Sequence, residues 1–66
     1  MTEVVYIYQD EDHGDVEVFT SLIAAKQHAD LMFPGAKDEP WGGEPDGELY
    51  RGEYEVIYVR PINGPL

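Results

Sequence analysis

Cysteine is absent, and with it both a disulfide framework and a thiolate metal site. Stability must come from packing, with self-association as the remaining help, and the composition suits a reducing cytoplasm. Positive charge is scarce as well. Four Lys plus Arg face fourteen Asp plus Glu, and the net charge of −10 repels nucleic acid and anionic lipid alike. This argues against direct DNA or RNA binding and against a membrane-surface role. No apolar run approaches the ~20 residues needed to cross a bilayer, and Met1-Thr2-Glu3 lacks the basic, then greasy, opening of an export signal. The chain therefore reads as cytoplasmic. At 66 residues it has room for one domain, 1–66, and a two-domain enzyme is excluded.

What is present argues for a fold. Apolar residues make up 42% of the chain, with five Tyr, two Phe and one Trp, more than a disordered acidic tail carries. The margin is expected to be thin, because so short a chain buries only ~60% of its extended surface.

Glu3-Val4-Val5-Tyr6-Ile7-Tyr8 is β-branched and aromatic on both faces, which predicts a central strand. The polar cluster from Gln9 to Asp15 reads as a turn, and the alternating Val16-Glu17-Val18-Phe19 completes a hairpin. Thr20 or Ser21 offers a cap for one helix over Leu22 to Met32, with Leu22, Ala25, Ala29 and Met32 on its apolar stripe. Residues 34–47 are rich in Pro, Gly and acid and carry no period, so they read as a long loop pinned by Trp41. Glu48 to Arg60 returns to a strand pattern, with Gly52 as a candidate bulge and Pro61 as its stop. Residues 62–66 read as a flexible tail.

The expected fold is therefore α+β: a ββαβ unit with a three-stranded antiparallel sheet in the order 2-1-3 and one helix on one face. The other face stays open. Alternation puts either Tyr6 and Tyr8, or Val5 and Ile7, on that open side, joined by Tyr54, Val56 and Tyr58 or by Ile57 and Val59. Either the long loop covers it with Trp41 as a plug, or a partner does.

Motifs of catalysis and metal binding are weak. Asp10, Asp12 and Asp15 with His13 suggest a hard-cation loop, but Gly14 stands where the third ligand belongs and Asp15 where the glycine belongs. A solvated turn is the simpler reading, with His13 on the surface. His28 has Ala24 and Met32 one turn away rather than a second ligand, and reads as an exposed helix residue. Ser21, the only serine, has no base placed near it. Gly42-Gly43 and Gly47 lack the Lys-Ser/Thr of a phosphate loop. Glu53 and Glu55, on one face of the last strand, stand about 7 Å apart, a spacing glycosidases use, yet one helix and three strands cannot enclose a substrate pocket. Neither an enzyme nor a cofactor is expected.

The charge itself remains. Acids recur at the hairpin tip, in the long loop and on the last strand, and carboxylates on a rigid scaffold can imitate the backbone of duplex DNA, about one charge per 1.7 Å of axis. The alternatives are a surface that only confers solubility or an adaptation to high salt. The run Gly14-Asp15-Val16-Glu17-Val18-Phe19-Thr20-Ser21, followed by Ala25 and Ala29, resembles the strand, cap and alanine-spaced helix of small acidic ββαβ accessory proteins encoded by bacteriophages. The resemblance implies an early phage protein acting on a host macromolecule in the host cytoplasm, and it assigns no functional residue.

The resulting expectation is a protein-binding module, an inhibitor of a host nucleic-acid-binding protein. Asp10, Glu11, Asp12, Asp15, Glu53 and Glu55 would meet Lys or Arg on the partner, and Tyr6, Tyr8, Tyr54 and Tyr58 would be the desolvated anchors. The alternative is a structural protein that pairs its bare sheet face with a second copy as a homodimer.

Overall fold

A computed structural model describes residues 3–62. It is an α+β arrangement with one α-helix and an antiparallel sheet: β1 (Val4–Asp10), β2 (Asp15–Phe19), α1 (Leu22–Met32), β3 (Gly42–Gly43), β4 (Glu48–Arg51) and β5 (Glu55–Pro61). The strand order is β2-β1-β5-β4-β3. As the two-faced pattern of β1 requires, that strand lies between β2 and the last strand, pairing Tyr6 with Phe19 and with Val59, and Tyr8 with Glu17 and with Ile57.

The sheet has five strands rather than three. The segment 48–60 is not one strand with a bulge. At Gly52 the backbone takes φ +64, a left-handed conformation open to glycine, and residues 52–54 turn the chain back so that Arg51 pairs with Glu55. The expected long loop is also ordered in part. A 3-10 turn at Pro34–Ala36 is closed by the Lys37 N–H on the Pro34 carbonyl, and Gly42-Gly43 pairs with Tyr50 and Leu49. Gly43 has φ +104, and a Cβ there would strike the Glu48 carbonyl, so only glycine allows the close approach that makes β3. Trp41 does pin this segment, but on the helix side: it packs against the core and under the Arg51 guanidinium, 4.7 Å from its ring. It plugs nothing on the opposite face. Of the expected tail, Ile62 is tied down by its N–H to the Glu3 carbonyl at 2.9 Å, and residues 63–66 lie outside the described residues.

α1 begins where its cap dictates. The Ser21 hydroxyl accepts the Ala24 N–H at 3.3 Å, and the Phe33 N–H closes the last turn on the Ala29 carbonyl. Ala25 and Ala29 are fully buried, which lets the helix backbone lie close to Tyr8, Leu49 and Ile57. Tyr8, Ala25, Ala29, Leu49 and Ile57 form the core, with Phe19, Leu22 and Met32 at its margin.

Candidate protein-interaction surface

The register decides which side chains share a face. Tyr6, Tyr8 and Asp10 of β1, Ile57, Val59 and Glu55 of β5, and Leu49 and Arg51 of β4 point toward α1. The opposite face carries two cross-strand rows: Val18, Ile7, Tyr58 and Glu48 in one, Val16, Gln9, Val56 and Tyr50 in the next. No element of the described chain covers it. Val16 and Val18 are 58% and 60% exposed and Tyr50 is 48% exposed, while Ile7, Val56 and Tyr58 are half-buried by their strand neighbours. One edge is polar: the Tyr50 hydroxyl donates to Glu48, and Arg60 lies over the Tyr58 ring at 5.0 Å.

The helix-side face holds a feature that charge counting missed. Asp10, Arg51 and Glu55 are all buried, at 1, 2 and 4% exposure. Their phase along the strands put them there: Asp10 follows Tyr8 by two residues, and Glu55 precedes Ile57 by two. Arg51 donates from Nε to Glu55 Oε1 at 2.7 Å, from Nη2 to Glu55 Oε2 at 3.2 Å and from Nη1 to Asp30 Oδ1 at 2.7 Å. Burial disfavours its charge, but the bonds to Glu55 and Asp30 outweigh that, so the guanidinium is held charged more firmly than usual. The Tyr8 hydroxyl lies 3.0 Å from Asp10 Oδ2 and 2.8 Å from Glu55 Oε2, so two carboxylates share its one proton. Burial first, then those two bonds and the adjacent negative charges, push the Tyr8 hydroxyl well above the ordinary tyrosine range.

Asp10 is further bound by His13, through the backbone N–H at 2.6 Å and the ring Nδ1 at 2.9 Å. Burial alone would raise the Asp10 carboxyl. The His13 N–H, the His13 ring and the Tyr8 hydroxyl outweigh it and hold the group below its usual value. In return the bond to Asp10 raises His13. No buried side-chain N or O of the described residues is left without a hydrogen-bond partner.

Tyr8, Asp10 and Glu55 are thus buried, at no more than 4% exposure, rather than displayed on the outer surface. Tyr6 is half-buried on the helix side. Asp15 is held by His28, Nε2 to Oδ2 at 2.6 Å. His28 is therefore not the exposed residue expected: it lies at the flank of the apolar stripe, edge-on to Tyr8 at 5.1 Å and against Phe19 at 5.2 Å. Among the described residues no group of three or more His, Cys, Asp or Glu could hold a metal ion, and no helix is long and apolar enough to cross a membrane.

Glu11, Asp12, Glu53 and Tyr54 are the expected site residues that are both exposed and brought together. Glu53 is in the turn before β5, not on the strand with Glu55. The Glu11 N–H donates to the Tyr54 carbonyl at 3.1 Å, which joins the β1–β2 turn to the β4–β5 turn and places their three carboxylates at one end of the sheet. Phe33 backs this end. Its ring meets His13 edge-on at 5.0 Å and lies parallel to Tyr54, 7° between planes and 6.4 Å between centroids. Tyr58 belongs to the open sheet face instead. Among the described residues Asp30, Glu48 and Glu55 are paired with arginines and Asp10 and Asp15 are bonded to histidines, and every other acidic residue is exposed.

No family model matches this chain, and neither a curated protein nor a solved structure is significantly similar to it.

Proposed function

We propose that this chain is a non-enzymatic, acidic protein-binding module that docks through the sheet face opposite α1. The observation that carries this reading is the exposure of Val16, Val18 and Tyr50 beside Ile7, Val56 and Tyr58 on a face that no described element covers. A largely apolar surface with one acidic end suits a partner whose own apolar patch is flanked by Lys and Arg, the pattern of a nucleic-acid-binding surface. Glu11, Asp12 and Glu53 would supply the charge in place of phosphates. The resemblance to phage accessory proteins makes host nucleases, restriction enzymes and polymerases in the cytoplasm the class to screen, with inhibition by DNA mimicry as the mechanism.

The test is parallel capture from a bacterial lysate on immobilised wild type and on the Val16→Ser/Val18→Ser variant, with elution by rising salt. A basic protein that elutes with salt from the wild type, is displaced by duplex DNA and is lost from the variant supports the proposal. Retention by both forms removes the sheet face from it, and salt-insensitive binding removes the electrostatic part.

A second reading is self-association through the same face. β2 is an edge strand, and its Val16 and Val18 are the most exposed apolar side chains in the sheet, features a second copy can use. The net charge of −10 on each copy opposes it.

A further inference from the structure

Below the joined turns the surface closes into a cleft of about 260 Å³, with Phe33 and Tyr54 on its walls, Glu39 and Glu53 among its lining and Arg51 and Glu55 at its base. We propose that this cleft is a receptor for one arginine side chain of a protein partner, a contact at the acidic end of the sheet beside the docking face of the binding module argued above, on which this inference rests.

Size, shape and charge each narrow the guest. The volume is below the roughly 300–1,000 Å³ of a small-molecule pocket and fits one long side chain. Phe33 and Tyr54 present parallel rings, and Tyr54 is 47% exposed, so a planar cation can lie on an aromatic face that is already in place. A guanidinium is planar, weakly hydrated and able to fork onto a carboxylate, whereas an ammonium offers neither the plane nor the fork. Glu39 and Glu53 are exposed and ion-paired with nothing among the described residues. They are the acceptors.

Arg51 does not spoil the site for a second cation. Three of its five N–H donors are taken by Glu55 and Asp30, and its positive charge is answered by those two carboxylates. The local balance that a guest meets is therefore negative. The cleft is also well braced. Phe33 ends α1 through its N–H on Ala29 and opens the 3-10 turn through its carbonyl, while the Tyr54 carbonyl accepts the Glu11 N–H, so the backbone behind both walls is held before a guest arrives.

The test is a titration of the intact, isotope-labelled protein with N-acetyl-arginine amide, followed by amide chemical shifts, with the lysine and citrulline amides alongside. Citrulline keeps the shape of arginine and removes its charge. Saturable shifts confined to Phe33, Gly52, Glu53 and Tyr54, several-fold weaker with lysine and absent with citrulline, are expected. Tyr54→Ala should weaken arginine about three- to tenfold, and Glu39→Gln/Glu53→Gln should weaken it and flatten its salt dependence, with the remaining amide spectrum unchanged in both. Equal shifts with citrulline, no saturation, or an unaltered response in Tyr54→Ala would overturn the assignment. Loss of a captured basic partner in Val16→Ser/Val18→Ser with no arginine response leaves the binding module standing and removes the cleft. A normal arginine response with partner retention in that variant keeps the cleft and removes the sheet face as the docking surface.

Discussion

The Glu55 carboxylate takes two N–H bonds from the Arg51 guanidinium across the β4–β5 turn, at 2.7 and 3.2 Å, with both side chains buried. A pair of this kind contributes little against a hydrophobic equivalent, but breaking it leaves a charge stranded in the interior. Arg51→Ala is expected to cost about 3–5 kcal/mol, enough to unfold much of so small a protein. Combining it with Glu55→Gln should recover part of that loss, because the stranded charge goes too. Urea unfolding followed by circular dichroism reads both, and a double variant no better than Arg51→Ala alone would mean that Arg51 acts only as packing over Trp41.

The Asp10–His13 pair makes stability depend on pH in two windows of opposite sign. His13 is raised above its ordinary 6.5 by Asp10, so its contribution is complete below pH 6.5 and is lost as pH climbs through the folded value. Asp10 is held below its ordinary 3.8, so its contribution is present above that pH and is lost as pH falls through the depressed value. Unfolding free energy measured from pH 3 to 9 should thus decline above 6.5 in the wild type and decline less in His13→Gln. Parallel curves for the two proteins over pH 6 to 8 would deny His13 any part in the pH dependence.

Two glycines separate backbone strain from steric closure. Gly14, at φ +68, has open space where a Cβ would go, and Gly14→Ala should cost about 1–2 kcal/mol from the left-handed conformation alone. Gly43, at φ +104, has the Glu48 carbonyl in that space as well, and Gly43→Ala should exceed the Gly14 cost because β3 must pull away from β4. Urea midpoints rank them, and the reverse order would show that β3 adds nothing to the sheet.

Much of this architecture was legible because local signals agreed with one another. Ser21, the alanine spacing and Pro34 fixed both ends of α1, and two-faced apolarity put β1 between β2 and the last strand. The break at Gly52 was not legible, since a single glycine within an alternating run signals a bulge as readily as a turn. The buried acids were missed for a different reason. Phase with Tyr8 and Ile57 argued them inward and charge argued them outward; Arg51, one of four cations and in phase with Leu49, resolves the conflict for Glu55, and His13 with Tyr8 resolves it for Asp10. The acidic end depends on the Glu11–Tyr54 backbone bond, a contact between distant segments that no periodicity encodes.

The two sheet faces should answer substitution in opposite ways. Ile57 is fully buried beneath α1, and Ile57→Ala should cost about 2–5 kcal/mol by leaving a cavity beside Tyr8. Val18 is 60% exposed, and Val18→Ser in an isolated monomer should shift stability by no more than about 0.5 kcal/mol. The comparison also detects a second copy, because a dimer seated on this face would bury Val18 and tie its contribution to protein concentration. Wild-type unfolding midpoints that rise with concentration, in a series where Val18→Ser does not, would assign the face to self-association. Midpoints independent of concentration in both leave it free for a different protein.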